Sequence, residues 1–311
     1  MNTMNTDTKQ ATTSTNLSNR PLVLACVDQS PYATYVTDYA AWAARRLNTR
    51  LELLHVIDRN PALGPDQDHS GAIGFNEQEN LLKKIVDEDE LRSRQARESG
   101  RIFLNELKLR AEQDYLQSDL QAPLQVDMRQ RHGSLTDSLL ERQDQTRLVV
   151  MGRRGESSNT TNRDLGRNLE SVVRSMKCPI LSVTDEFKTP THLMIAFDAG
   201  RASRKGLDMV ATSPAFEGLK CSIVMVKDKA SSNAPKQLEQ AKRKLISAGL
   251  EVETHLLIGD LESLIAKSIQ TLGIDLLVMG AYTHSPWRSL VMGSHTTNLL
   301  RAARVPTLLL R

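Results

Sequence analysis

Two glycine-bounded stretches of this 311-residue chain carry residues that suit anion binding. The first is Gly152-Arg153-Arg154-Gly155, followed ten residues later by Gly166-Arg167-Asn168. The second runs from Gly280 through Thr283 to Gly293-Ser294-His295-Thr296. Each stretch follows a short apolar run, ending at Met151 or Met279, and each opens a helical pattern. A glycine after a strand lets the backbone come close to a ligand. A glycine opening a helix leaves free N–H groups, and the helix dipole favours an anion there. The Ser294 hydroxyl can cap the helix or bond a phosphate oxygen. Arg167 stands at the matching place in the first stretch, where it can neutralise a phosphate or take its position. Two acids, Asp28 and Asp198, close further apolar runs, and Val56 and Val226 lie near the ends of two more.

These residues recur because the chain repeats itself. VLACVD ending at Asp28 matches LMIAFD ending at Asp198, and Val56 matches Val226, both at an offset of 170. Further on, Gly133 pairs with Gly259 at 126, Met151-Gly152 with Met279-Gly280 at 128, and Pro179 with Pro306 at 127. The fall in offset marks an insertion in the first half, within residues 59–116. Its charged part has apolar residues at helical spacing (Leu82, Ile85 and Val86, then Phe103, Leu107 and Ala111), which predicts an extended surface helix.

Each half reads as β-α-β-α-β-α-β-α-β, and most of its strands are short and apolar on both faces, as strands covered by helices on both sides must be. That alternation predicts an α/β class with two doubly wound domains, each built on a five-stranded parallel sheet. The expected boundaries are a disordered tail over residues 1–20, a first domain over 21–186 with the helical insertion at about 59–116, and a second over 187–311. Thr184-Asp-Glu-Phe-Lys-Thr-Pro190 supplies turn chemistry between them. The last strands, Ile180–Val183 and Thr307–Leu310, are apolar edges with no interior lysine or proline. They are expected to pair with each other about an approximate two-fold axis, and a homodimer is a further expected partner arrangement.

Composition narrows the function classes. The chain is 40% hydrophobic and 25% charged with a net charge of +3, values of an ordinary globular protein without a demand for nucleic acid. No run is long enough to span a membrane, and the first 20 residues lack the apolar core of a signal peptide, so a cytoplasmic protein is expected. The three cysteines include no CxxC and read as structural thiols, and the seven histidines show no metal spacing. Arg129, Arg131, Arg153 and Arg154 form a local basic group in the sequence.

Strand-Asp, strand-Val and strand-Gly followed by a spaced Gly-Ser/Thr at a helix start resembles the universal stress protein family, twice over, across residues 21–311. The resemblance implies the adenine nucleotide alpha hydrolase-like, nucleotide-binding fold and a stress-response role. It implies an adenine nucleotide as ligand, ATP first, with or without Mg. It places adenosine near Asp198 and Val226 in the second half, with Met279, Gly280, Thr283, Gly293, Ser294, His295 and Thr296 around the phosphates. In the first half the matching set is Asp28, Val56, Met151, Gly152, Gly155, Gly166, Arg167 and Asn168. The second copy fits better in spacing and hydroxyl, although Thr283 replaces a glycine. The first has a longer spacer and Arg167 in place of Ser/Thr.

Three functions compete on these residues. One is a nucleotide-responsive binding module. Another is a degenerate domain pair serving as an interaction scaffold. The third is an adenylate-forming enzyme, which would need a serine- and glycine-rich loop after the first strand. The chain has Asp28-Gln-Ser-Pro31 and Asp198-Ala-Gly-Arg201 there, and neither GxxxxGK[ST] nor GxGxxG. No catalytic residues are expected, beyond weak ATP hydrolysis.

Overall fold

The computed structural model describes residues 21–57, 75–113, 123–155, 166–281 and 294–311. The expected tail over residues 1–20 lies outside them. In chain order the elements of the first half are β1 (Leu22–Cys26), α1 (Ala33–Arg46), β2 (Arg50–Ile57), α2 (Phe75–Gln113), β3 (Val126–His132), α3 (Leu135–Leu140), β4 (Thr146–Gly152), α4 (Arg167–Ser175) and β5 (Ile180–Val183). The second half repeats the plan with β6 (His192–Ala196), α5 (Arg201–Thr212), β7 (Lys220–Lys227), α6 (Ala234–Ser247), β8 (Glu251–Ile258), α7 (Leu261–Thr271), β9 (Leu276–Gly280), α8 (Ser294–Ala302) and β10 (Thr307–Leu310).

The strands order as β3-β2-β1-β4-β5-β10-β9-β6-β7-β8 in one ten-stranded sheet. Within each block of five every pairing is parallel, and no strand of one half is interleaved with the other. The blocks meet where β10 pairs β5 antiparallel, Thr307 opposite Ser182 and Leu309 opposite Ile180. An antiparallel join of equivalent strands relates the two blocks by an approximate two-fold axis.

Local sequence explains the elements. In α1 the buried Val36, Tyr39, Ala40, Ala43 and Ala44 recur at helical spacing, and Arg45 and Arg46 sit in the last turn, where carbonyls favour cations. Asp260 caps α7 by accepting from the Ser263 N–H at 2.9 Å. Gly133 (φ +113°) and Gly259 (φ +137°), one ending each third strand, hold conformations that L side chains rarely adopt. This explains their pairing in the repeat. One buried apolar cluster covers the sheet face under α1 and α5, and another covers the face under α4 and α8. Both clusters run through the two halves.

The long helix departs from a purely surface reading. α2 has 39 residues against 14 in α6, its counterpart. Val86, Leu91 and Ile102 on it are exposed, but Leu104, Leu107 and Ala111 are buried in the core under α1. Arg110 clamps Asp38 of α1 at 2.7 and 2.8 Å, and the Arg45 guanidinium donates to the Ala111 carbonyl at 2.6 Å. Its last turns therefore do the packing that α6 does in the second half, and the insertion proper precedes them. The sequence spacing blends the two segments because the helix has no break between them.

Candidate functional site

In each block the strand order reverses beside the first strand, at β1/β4 and β6/β9. In open parallel sheets such a reversal, beyond the strand carboxyl ends, is the usual ligand crevice. Asp28 and Asp198 stand just past β1 and β6 at these two places. Asp28 Oδ1 accepts from the Ser30 N–H at 3.2 Å and from the Ser30 hydroxyl. Asp198 Oδ1 accepts from the Gly200 N–H at 2.8 Å and from the Ser203 hydroxyl at 2.5 Å. Neither caps the following helix, whose N-caps are Tyr32 and Gly200 without side-chain bonds. The carboxylates instead brace the turn leaving the strand, and Asp198 keeps its side chain at the surface.

Ala199, between Asp198 and Gly200, has φ +64°. A non-glycine residue in the left-handed region costs roughly 1 kcal/mol or more. The turn that presents Asp198 is held against that cost by the two bonds to its carboxylate. Ala199→Gly is expected to raise stability by about 0.5–1 kcal/mol in urea unfolding, since glycine removes the Cβ conflict.

The first glycine loop closes at its neck. The Gly166 N–H donates to the Arg153 carbonyl at 3.0 Å, and the Arg153 N–H donates to Val183 at 2.9 Å. A Cβ on Gly152 would stand 2.6 Å from the Arg154 carbonyl oxygen, so the turn tolerates nothing larger. A Cβ on Gly155 would stand 2.5 Å from Asp28 Oδ2. The Asp28 carboxylate thus lies directly against the loop. Residues 156–165 lie outside the described set. In the second crevice Gly280 lies so close to α5 that a Cβ would fall 2.7 Å from that of Ala202. Ser294, His295 and Thr296 form the first turn of α8, whereas Thr283 and Gly293 lie outside the described residues.

The remaining expected site residues divide in two. Val56 and Val226 are half-buried at the ends of β2 and β7, and Arg167 opens α4 next to the exposed Asn168. Met151 and Met279, which precede the two glycines, are 4% exposed and pack in the apolar core.

The basic group seen in the sequence is dispersed in space. Arg129 pairs with the buried Glu52 at 3.1 Å, and Arg131 with Glu141 at 3.1 Å. Arg153 turns away from the glycine loop and crosses to the other half. There its guanidinium donates to the carbonyls of Ala303 and Val305 (2.9 Å for the latter) and to Thr307 Oγ1 at 3.3 Å. Burial pushes the Arg153 pKa down to about 10, with Asp185 opposing the shift and Arg154 adding to it. Sequence reasoning missed this role because backbone carbonyls carry no residue-type signal. Burial also raises all three thiols, Cys178 to about 11, Cys221 to about 12 and Cys26 further still, which keeps them protonated. Among the described residues no group of three or more His, Cys, Asp or Glu is placed to hold a metal. No helix there is long and apolar enough to cross a membrane.

Comparisons with known proteins agree on one family. The family model described as "Universal stress protein family" matches the chain twice, over residues 21–184 and 191–311. Universal stress protein Slr1230 of Synechocystis is 32% identical over 291 residues, 93% of this chain and 99% of its own. A universal stress protein of Archaeoglobus fulgidus shares the fold with TM-score 0.67 at 16% identity, covering 93% of this chain and 98% of its own. A putative universal stress protein of Pseudomonas aeruginosa does so with TM-score 0.59 at 16% identity, each chain 94% covered. With two matches that together span nearly the whole repeat, the chain belongs to the universal stress protein family.

Proposed function

We propose that the protein binds one adenine nucleotide, ATP first, in the second crevice and acts through conformation or partner choice instead of catalysis. In this reading residues 21–186 and 187–311 are its two domains, paired within the chain through β5 and β10. The observation that carries it is the pair of strand-order reversals, each with an acid past the first strand and a helix opening beyond the fourth. A helix start facing such a crevice offers free amides to a phosphate.

The second crevice is favoured on loop length and residue type. In the first, the spacer to the later glycine is one residue longer and Arg167 stands where the family pattern has Ser/Thr. In the second, the glycine spacing matches the family pattern and the residue type at the helix start is Ser294. The scaffold reading would gain ground if no nucleotide bound.

Ligand linkage supplies the test. Saturating ATP is expected to raise the melting temperature of the wild-type chain, since a ligand at 100 times its Kd adds about 2.7 kcal/mol. That rise should shrink in Asp198→Ala, which loses an adenosine contact, and vanish in Gly293→Val, which crowds the phosphate position. A rise that survives Gly293→Val but disappears in Gly166→Val would move the site to the first crevice.

A further inference from the structure

A cavity of about 210 Å³ lies between the two halves on the α1/α5 face, away from both glycine loops. Its lining falls into counterparts of the repeat: Trp42 with Thr212, Ala43 with Ser213, Leu148 with Leu276, and Leu181 with Leu308. The cavity therefore straddles the approximate two-fold axis. It is not symmetric about it.

At one end the linker fills the space. Phe187 packs edge-on against Tyr39 at 4.8 Å between ring centroids, and the Lys188 N–H donates to the Tyr39 hydroxyl at 3.2 Å. Asp275, 5% exposed at its side chain, holds that strap by accepting from the N–H groups of Thr191 and His192. At the other end the counterpart of Tyr39 is Met209, and the counterpart of Asp275 is Arg147; both line the cavity. Trp42 and Phe216 line the walls there, but among the described residues no linker aromatic packs on Met209 as Phe187 packs on Tyr39, and an arginine stands where the other end has an aspartate.

Arg147 is exposed and makes no ion pair or hydrogen bond among the described residues. The two hydroxyls at that end are engaged, since the Thr212 hydroxyl donates to the Asp208 carbonyl and Ser213 Oγ accepts from the Ala215 N–H. Apolar walls with one unengaged guanidinium at the mouth suit an amphiphilic anion. An apolar cavity near 150 Å³ holds a benzene ring, so this one takes a ring with a short side chain.

We propose that this cavity binds a small organic carboxylate with an aromatic or branched aliphatic body. The body occupies the place that Phe187 fills at the other end, beside Met209 and Trp42, and the carboxylate pairs with Arg147. The site is independent of the nucleotide crevices and does not rest on their occupancy.

Phenylacetate, with phenylacetamide as its neutral counterpart, probes the site in full-length protein carrying Trp287→Phe, which leaves Trp42 as the remaining tryptophan. The expected result is a saturable change in Trp42 emission, with the acid bound about five- to tenfold more tightly than the amide. Arg147→Met should remove that preference while leaving the amide unaffected, and Ala43→Leu should abolish both by filling the space. Arg147 is a surface residue, so its variant keeps the test decisive if Ala43→Leu fails to fold. No saturation through the millimolar range would overturn the proposal, as would equal affinity for acid and amide. Affinity unchanged in both variants would place the probe elsewhere and overturn it too. Binding that emerges only after removal of residues 1–20 would show that the chain covers its own cavity, again against the proposal.

Discussion

Deleting Thr307–Arg311 is expected to convert a monodisperse chain into one that self-associates or precipitates. β10 lies between β5 and β9, so its loss uncovers two strand edges at once. Leu308, Leu309 and Leu310 are 4%, 2% and 1% exposed, and Thr307 is fully buried. Three buried leucines at about 1.5–3 kcal/mol each amount to a large share of the 5–15 kcal/mol that keeps a domain folded. The uncovered edge of β5, Ile180-Leu-Ser-Val183, is apolar and carries no charge or proline to block pairing with another copy. The first half should stay folded, because β1–β5 keep their mutual pairings and α1 still covers them. Light scattering with circular dichroism reads both effects. A truncated chain as monodisperse and as stable as the intact one would rule out β5–β10 pairing as the join between the halves.

Arg153→Ala should have the next largest effect, costing about 2–4 kcal/mol. The guanidinium is the partner of two carbonyls and a hydroxyl in the segment between α8 and β10. Removing it takes the donor from the Ala303 carbonyl, leaves the Val305 carbonyl and the Thr307 hydroxyl only their bond to each other at 3.2 Å, and opens a void at the join. In a chain of this size that cost corresponds to a fall of roughly 4–12 °C in melting temperature. Arg153→Lys should recover a minor part of it, since an ammonium cannot span three acceptors with the guanidinium's planar fork. A melting curve for Arg153→Ala that overlays wild type would mean that the contact carries no stability. The same residue joins the neck of the first glycine loop, through its own carbonyl, to the end of the helix that begins at Ser294.

Much of this architecture was legible in the sequence, for physical reasons that differ by element. The central strands stood out because strands buried on both faces must be apolar throughout, and the runs at Val23, Leu53, Val149, Met194 and Leu277 are, whereas the edge strands β3 and β8 are mixed. The strand order inside each half, and so the reversal points at β1/β4 and β6/β9, came only with the structure, because alternation of strand and helix does not fix which strands are neighbours. Gly133 and Gly259 were visible as a pair, and their positive φ explains why both are glycine. Other features had no signal to read. The crossing of Arg153 depends on carbonyls more than a hundred residues away. The strain at Ala199 depends on a turn geometry that alanine does not announce. The burial of Met151 and Met279 was not legible either, since both faces of β4 and β9 are covered and residue type alone does not tell a strand end from its middle. Division of α2 into a core-packed end and an extension required knowing where α1 lies.

The central claim is that one adenine nucleotide sits in the second crevice. Native mass spectrometry of the purified chain, followed by analysis of what it releases on denaturation, tests it most directly. The expected spectrum shows one adenine nucleotide per chain, retained in Gly166→Val and lost in Gly293→Val. A chain that carries no nucleotide, and takes up none when ATP is added, would contradict the claim and leave the paired domains as a scaffold.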